Sequence, residues 1–174
     1  MLKREEVEAA QRRAAAMIRQ AGIVITEAEQ DRIAVADFGL SRLAAEGAQI
    51  LTLLETARVA LKIIALFPQQ TLPEHWHPPV GNDPGKEETI RVVSGALWFY
   101  LPGAENMRHG FIPEGKEACY SVRNEIRMGP GDQITLAPGT KHWFQAGPAG
   151  AVLYSISSCA RDILDRFSDP DVVR

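Results

Sequence analysis

Cysteines and long apolar runs are both scarce in this 174-residue sequence. Its two cysteines, Cys119 and Cys159, show no CxxC spacing, so no disulfide framework is predicted and both are expected to be reduced thiols. No apolar run approaches the ~20 residues needed to cross a bilayer, and residues 1–6 lack the apolar core of a signal peptide. The sequence therefore predicts a soluble cytoplasmic protein.

An excess of charge of either sign is also missing. The 19 lysines and arginines nearly balance the 22 acidic residues, for a net charge of −3. Nothing therefore favours strong attraction to nucleic acid or to an anionic membrane. The length suits one domain, 1–174, and is sufficient to bury a core without disulfides.

The amino-terminal part of the chain has helical periodicity. Gly22 can supply a left-handed cap after a first helix, and Thr26 with Glu29 matches a capping box for a second short helix reaching about Ile33. The apolar stripe of the first helix consists of Val7, Ala10, Ala14, Met17 and Ala21. Both helices fall in a predicted extension over 1–46, which is expected to cover a sheet edge or to pair subunits.

From residue 49 onward the pattern changes to short β-branched runs separated by glycine and proline turns. Turns every eight to twelve residues are typical of a β-sandwich or barrel. We therefore predict an all-β fold with accessory helices, in which a β-barrel spans 47–158 and a helix or tail spans 159–174. The predicted strands are 50–54, 59–67, 89–93, 96–101, 117–122, 125–128, 133–136, 142–146 and 151–157, followed by a short helix at 161–167.

Three of the four histidines lie at strand positions from which their side chains can converge. His75 and His77 are two residues apart in an extended segment, so their imidazoles point to the same face. His142 opens a later strand, and Glu88 begins another. If these strands are neighbours in one barrel, the four side chains converge and suit a divalent first-row metal, with two of six positions open. His109 has no comparable partner and is expected to be exposed.

These positions resemble the two cupin motifs, G(X)5HXH(X)3-4E(X)6G and G(X)5PXG(X)2H(X)3N. The sequence departs from them in three places. Ten residues separate His77 from Glu88, Ala137 occupies the proline position, and Ala146 replaces the final asparagine. An HxH pair alone also arises by chance, so the surrounding sequence is needed to interpret it.

The surrounding sequence resembles the bacterial D-lyxose isomerase family, including a spacer of this length. The similar segments are 65–80 (ALFP to HWHPPV), GKEET at 85–89 and 130–147 (PGDQ to KHWFQAG), with AGIVIT, DFGL and FSDP at 21–26, 37–40 and 167–170. The resemblance implies a cupin fold, a double-stranded β-helix or jelly-roll barrel preceded by N-terminal helices. It also implies a homodimer and a manganese-dependent aldose–ketose isomerase. Because such a reaction needs no redox chemistry, we expect that other divalent first-row metals can substitute. The implied metal ligands are His75, His77, Glu88 and His142.

The implied reaction interconverts D-lyxose and D-xylulose. D-Mannose and D-fructose are a further expected pair of substrates, because D-mannose has the C2 configuration of D-lyxose. A divalent cation that chelates O1 and O2 stabilises the enediolate formed in proton transfer. Glu125 is the first candidate for the base, if strand alternation turns it inward; otherwise it is an exposed strand glutamate, and Asp132 is a weaker candidate. Lys86 is expected to hydrogen-bond a sugar oxygen or stabilise negative charge, unless it is an exposed loop lysine.

Three other functions remain open from the sequence. Cupins with three histidines and one glutamate also include metal-dependent oxygenases. A non-catalytic sugar-binding cupin could use the metal for structure alone. A phosphosugar isomerase would need clustered phosphate-binding cations, whereas the candidate residues here are scattered along the chain: Lys86, Arg91, Arg108 and Arg123.

Overall fold

The computed structural model describes residues 2–173, and its amino-terminal end is helical. Helix α1 spans Arg4–Gln20 and helix α2 spans Glu27–Asp31. Gly22, with φ of +83°, follows α1 as predicted. The backbone N–H of Glu29 donates to Thr26 Oγ1 at 3.1 Å, and the Thr26 N–H donates to Glu29 Oε2 at 2.8 Å. The predicted capping box is therefore confirmed.

The remainder of the described chain is mostly β-structure, which confirms the predicted fold class. Most neighbouring strands pair antiparallel in the order β1-β2-β3-β8-β4-β9, while β5 pairs with β6, β7 and β8. The strands are β1 (Ala34–Ala36), β2 (Ala48–Glu55), β3 (Val59–Leu66), β4 (Thr71–Trp76), β5 (Glu88–Leu101), β6 (Asn124–Met128), β7 (Gln133–Leu136), β8 (His142–Ser158) and β9 (Arg166–Phe167).

The two longest strands, β5 and β8, pair with each other along most of their length. The sequence predicts each of them as two strands broken by a turn, and this is wrong. They pair from Glu88–Ser157 to Tyr100–Trp143, with register shifts near Gly95. Gly95 has φ of +82°, and a Cβ there would lie 2.1 Å from the Gly150 carbonyl oxygen. The glycines thus mark bulges that bend continuous strands rather than ends of strands.

Two other predicted elements are corrected. Residues 117–122, predicted as a strand, form a 3-10 turn at Glu117–Cys119 followed by a loop, because the N–H groups of Ser121 and Val122 donate to the Glu74 carboxylate. Residues 161–167, predicted as a helix, form a 3-10 turn at Asp162–Leu164 and then strand β9. This strand pairs with β4, placing Phe167 opposite His75.

The apolar residues form separate clusters on the two faces of the sheet. Helix α1 buries Ala14 and Ile18 against Ile63 and neighbouring residues on the outer face. The inner face contains a larger cluster around Leu66, Phe99 and Phe144. Each leucine, isoleucine and phenylalanine of these clusters contributes roughly 1.5–3 kcal/mol when fully buried. This packing holds the curved sheet in shape and thereby positions the polar residues at one end of the inner face.

Both cysteines are free and half-buried, as expected for thiols without a disulfide partner. Within residues 2–173, neither helix combines the length and apolar character that crossing a membrane would require.

Candidate metal centre and adjoining cavity

The curvature of the sheet brings together side chains that are distant along the strands. His142 begins β8 and lies opposite His75 of β4. Glu88 begins β5 and lies opposite Ser157, at the far end of β8. In a flat strand the interval from 142 to 157 would span about 50 Å. The curled sheet instead places one ligand atom from each of His75, His77, Glu88 and His142 within 4.8 Å of the others.

Hydrogen bonds on the outer side of each ring orient the three imidazoles. His75 Nδ1 lies 2.8 Å from the Pro73 carbonyl oxygen, and His142 Nδ1 lies 2.9 Å from that of Thr140. His77 Nδ1 lies 2.5 Å from Asp165 Oδ1. Because carbonyl and carboxylate oxygens accept hydrogen bonds, each Nδ1 donates, and in the neutral ring Nε2 keeps its lone pair. This is the tautomer in which Nε2 binds a metal.

The donor set fits a divalent first-row cation. All four residues are buried, and His142 Nε2 has no hydrogen-bond partner among residues 2–173. A buried polar atom left unpaired costs about 1–3 kcal/mol, and a cation bound between the rings would remove that cost. Three imidazole nitrogens and one carboxylate oxygen suit such an ion.

The electrostatic environment favours the protonation state that binds a metal in three of the four clustered residues. Burial lowers the pKa of His75 well below its ordinary value and that of His142 to about 4, so both rings are neutral at pH 7. Burial opposes ionisation of Glu88, but the Lys86 ammonium and His77 outweigh it and hold the pKa of this carboxyl well below its usual range.

His77 differs from the other two histidines. Burial lowers its pKa, but hydrogen bonds to Asp165 and Glu88 outweigh this effect and raise the pKa above its ordinary value. Its Nε2 lies 3.1 Å from Glu88 Oε2. A cation that binds here therefore competes with a proton on His77, and metal binding is expected to release that proton.

Lys86 lies beside the cluster, as the functional interpretation of the sequence requires. Its side chain is largely buried, and its Nζ lies 3.5 Å from Glu88 Oε1. The alternative, an exposed loop lysine, is wrong.

Lys86 lines a cavity that opens onto the cluster. The other polar residues of this cavity are Lys62, Ser155, Asp162 and Asp165, and its apolar walls are Phe38, Ile50, Ile64, Leu72 and Phe167.

Glu125 is not brought to this cluster. It lies opposite Tyr100 on β5, whereas its neighbour Ile126 lies opposite Phe99. The Phe99 ring stacks on His142 on the inner face, while Tyr100 stacks on Trp143 on the outer face. Since directly opposed residues of a sheet share a face, the expectation that alternation turns Glu125 inward is corrected, and its position does not support a role as the base.

Glu125 instead binds an outer loop. Its Oε2 accepts hydrogen bonds from the Tyr100 hydroxyl at 2.8 Å and from the N–H groups of Arg108 and His109 at 3.1 and 3.0 Å. His109 Nδ1 lies 2.5 Å from Oε1, and the exposed ring of His109 lies beside Trp98. Asp132 is also away from the cluster, in the turn where it accepts the Gly129 N–H.

We expect Glu125→Gln to reduce stability while leaving activity within a few-fold of the parent. Burial raises the pKa of Glu125, but the hydrogen bonds from the 108–109 segment and Tyr100 outweigh burial and lower it to about 2. A depressed pKa adds stability above the unfolded-state value, and that stability is lost as the pH falls. The variant should lose about 2–3 kcal/mol of unfolding free energy at pH 7, measured by urea denaturation.

The pH dependence tests the cause of that loss. The difference in unfolding free energy between parent and variant should narrow as the pH falls from about 4.5 towards 2. Glu55→Gln, an exposed change at the end of β2, is the matched control and should change stability by less than about 0.5 kcal/mol. A Glu125→Gln protein of parental stability and greatly reduced turnover would contradict the structural role.

The sequence interpretation missed Lys62, Asp162 and Asp165. The two aspartates lie in the C-terminal turn that was predicted as helix, where no pattern links them to the histidines. The one available signal for Lys62 was its position as the sole charged residue in the apolar run of β3.

Comparisons with known proteins are consistent with this site. No protein-family model matches the chain. The D-lyxose ketol-isomerase of Cohnella laeviribosi is 50% identical over 163 residues, which cover 93% of this chain and 90% of that protein. The D-lyxose/D-mannose isomerase of Thermosediminibacter oceani (strain ATCC BAA-1034 / DSM 16646 / JW/IW-1228P) is 43% identical over 175 residues, covering 100% of this chain and 97% of that protein.

A solved structure extends the comparison to the fold. The L-ribose isomerase of Cellulomonas parahominis with L-ribose superimposes with a TM-score of 0.79. The match covers 98% of this chain and 94% of that one, at 18% sequence identity. At this identity the likeness shows the shared fold alone.

Proposed function

Because the chain belongs to the D-lyxose isomerase family, we propose that it is an aldose–ketose isomerase that interconverts D-lyxose with D-xylulose and D-mannose with D-fructose. The observation that carries this proposal is the buried cluster of His75, His77, Glu88 and His142, which adjoins a cavity with polar walls. The names of the two curated relatives supply D-lyxose and D-mannose, and D-xylulose and D-fructose are the ketoses that these aldoses yield.

The four clustered residues would hold the metal, for which we propose Mn²⁺. A divalent cation in this position supplies Lewis acidity that stabilises negative charge on two adjacent sugar oxygens. Asp165 holds the His77 ring through Nδ1, and Ser155 Oγ donates to Glu88 Oε1 at 2.5 Å. Such supporting hydrogen bonds orient ligands and tune their basicity.

The cavity residues provide the remaining chemistry. The Lys86 ammonium lies where it can donate a hydrogen bond to a sugar oxygen and stabilise charge that develops there. The apolar side chains of Phe38, Leu72 and Phe167 border the same cavity. They exclude water from this side of the cluster, which strengthens the electrostatic interactions made by Lys86.

We extend the proposal to a cytoplasmic homodimer, on the resemblance of the sequence to its family. Sedimentation velocity of the full chain measures this directly, because a monomer and a dimer of a 19.1 kDa chain differ twofold in mass. A monomer at micromolar concentration would contradict the dimer without affecting the isomerase proposal.

The test of the proposed reaction uses pairs of sugars that differ only at C2. D-Lyxose and D-xylose both correspond to D-xylulose, and D-mannose and D-glucose both correspond to D-fructose. With Mn²⁺ present, D-lyxose and D-mannose should yield ketose, while their C2 epimers should react at least tenfold more slowly. Product identity is measured by chromatography and ¹³C NMR, in air and under nitrogen.

Two results would overturn the proposal. Ketose formation that requires oxygen would indicate oxygenase chemistry. Binding of sugar without ketose formation from any of the four aldoses would indicate a binding protein. Equal rates for the two members of each pair would contradict the proposed C2 preference while leaving the reaction type intact.

A further inference from the structure

We propose that Asp162 is the catalytic carboxylate that carries the proton between C1 and C2 of the sugar, an inference that rests on the proposed isomerase function. Asp162 begins the 3-10 turn Asp162–Leu164. It lines the cavity that contains His75, His77 and Glu88, and also the neighbouring surface groove near Ile163. It therefore lies at the boundary between the cavity and this groove.

The cavity has three carboxylates, and two of them support the metal. Glu88 is one of the four clustered ligands. Asp165 is buried and accepts the hydrogen bond from His77 Nδ1. Asp162 has a different environment: its side chain is 46% exposed, and it makes ionic contacts with the ammonium groups of Lys62 and Lys86. It is therefore the cavity carboxylate placed to face substrate.

The two lysines connect Asp162 to the metal cluster. Lys62 Nζ lies 2.6 Å from Asp162 Oδ2, and Lys62 is 11% exposed. Lys86 Nζ lies 3.9 Å from Asp162 Oδ1 and 3.5 Å from Glu88 Oε1. One ammonium group thus bridges the ligand carboxylate and Asp162. A sugar that approaches the cluster through this cavity would therefore meet the Asp162 carboxylate beside the Lys86 ammonium, where it can act as a base.

The proton balance of the step is complete without another reactant. The Asp162 carboxylate takes the C2 proton of the open-chain aldose, the C–H electron pair forms the C1–C2 double bond, and the carbonyl pair moves to O1. The protonated carboxyl then returns its proton to C1. The Lys86 ammonium donates one proton to O1 and takes up the O2 hydroxyl proton in its place. The C2–H and O2–H bonds are broken, and C1–H and O1–H bonds are formed.

The test is Asp162→Asn in the full-length, Mn²⁺-loaded protein. Removing the carboxylate should lower kcat for D-lyxose at least 100-fold, in the range usual for loss of a general base. The loss of the C2–H signal of D-lyxose in D₂O, followed by ¹H NMR, should slow by the same factor. Metal content per chain by mass spectrometry and the melting temperature should remain near parental values. Asp162→Glu, which keeps a carboxylate, should exceed Asp162→Asn in both rates.

Two further variants separate this role from a structural one. Asp165→Asn replaces the charged acceptor at His77 Nδ1 with a neutral amide oxygen and should weaken Mn²⁺ binding about 10–100-fold, which Asp162→Asn should not. Asp171→Asn, in the same tail and exposed, should match the parent in rate and metal content.

The outcomes distinguish this inference from the proposed function. Exchange and turnover within twofold of the parent in Asp162→Asn would overturn the role of Asp162 while leaving the isomerase function intact. A parallel loss of metal and rate in this variant would also overturn it, as a sign of a structural role. A parent protein that neither exchanges nor isomerises any aldose would overturn both proposals.

Discussion

Treatment with EDTA is expected to reduce isomerisation of D-lyxose by more than about 10³-fold, and Mn²⁺ is expected to restore it. Removal of the cation would take away the Lewis acid that stabilises charge on the sugar oxygens, an effect worth several kcal/mol. The loss should be reversible because Pro73, Thr140 and Asp165 hold the three histidine rings independently of a metal. Activity after dialysis is measured across a Mn²⁺ titration.

A second measurement on the same samples reports binding rather than turnover. A ligand that binds only the folded state raises the melting temperature by mass action, so Mn²⁺ should stabilise the EDTA-treated protein in a concentration-dependent way. Full activity after exhaustive removal of metal, verified by mass spectrometry, would contradict the metal-dependent mechanism.

Substitution His142→Ala should cause the same loss, but Mn²⁺ should not restore activity. His142 is completely buried, and its Nε2 atom has no hydrogen-bond partner in the described part of the chain. His109→Ala is the matched control, because His109 lies on the outer face beside Trp98. That variant should retain metal and turnover. Retention of one metal ion per chain in His142→Ala would contradict the ligand assignment.

The local elements of the fold could be predicted because their signals are local. Thr26 and Glu29 exchange side-chain-to-backbone hydrogen bonds across three residues, so their capping box can be identified from the sequence. The continuity of the long strands could not be predicted, because Gly95 and Gly147-Pro148 have the composition of turns. Whether such residues end a strand or bulge within it depends on the partner strand, and here β5 and β8 pair on both sides of the bend.

The ligand cluster was predictable for a related reason. The alternation of His75 and His77 sets their common face without knowledge of the register. Glu88 and His142 were candidates from their positions at strand starts, and the family resemblance supported both. The face of Glu125 depends on which residue lies opposite Phe99, and the structure assigns Ile126 to that position. Asp162 and Asp165 reach the cavity through the C-terminal turn, whose path depends on the pairing of β9 with β4.

The largest effect on stability is expected for Glu74→Ala. Glu74 is buried, and its Oε2 accepts the N–H groups of Ser121 and Val122 at 2.6 and 2.9 Å. Its Oε1 accepts the hydroxyls of Ser121 and Ser168. The carboxylate thus fastens the 121–122 loop and the C-terminal tail to β4. The variant should lose about 3–5 kcal/mol of unfolding free energy, measured by urea denaturation, because buried donors would be left unpaired.

The alternative is that Glu74 acts only through its charge next to Lys141, whose Nζ lies 3.7 Å from Oε1. Glu74→Gln separates the two causes, since the amide keeps the shape and one acceptor but places an NH₂ group against existing donors. If the hydrogen bonds matter, Glu74→Gln should still lose about 2–3 kcal/mol, whereas Lys141→Met should lose less than about 1 kcal/mol, because the Lys141 side chain is itself exposed and screened by solvent. Glu87→Gln, an exposed glutamate, is the control. Equal effects of Glu74→Gln and Lys141→Met would mean that the ion pair, rather than the loop anchor, holds this end of the barrel.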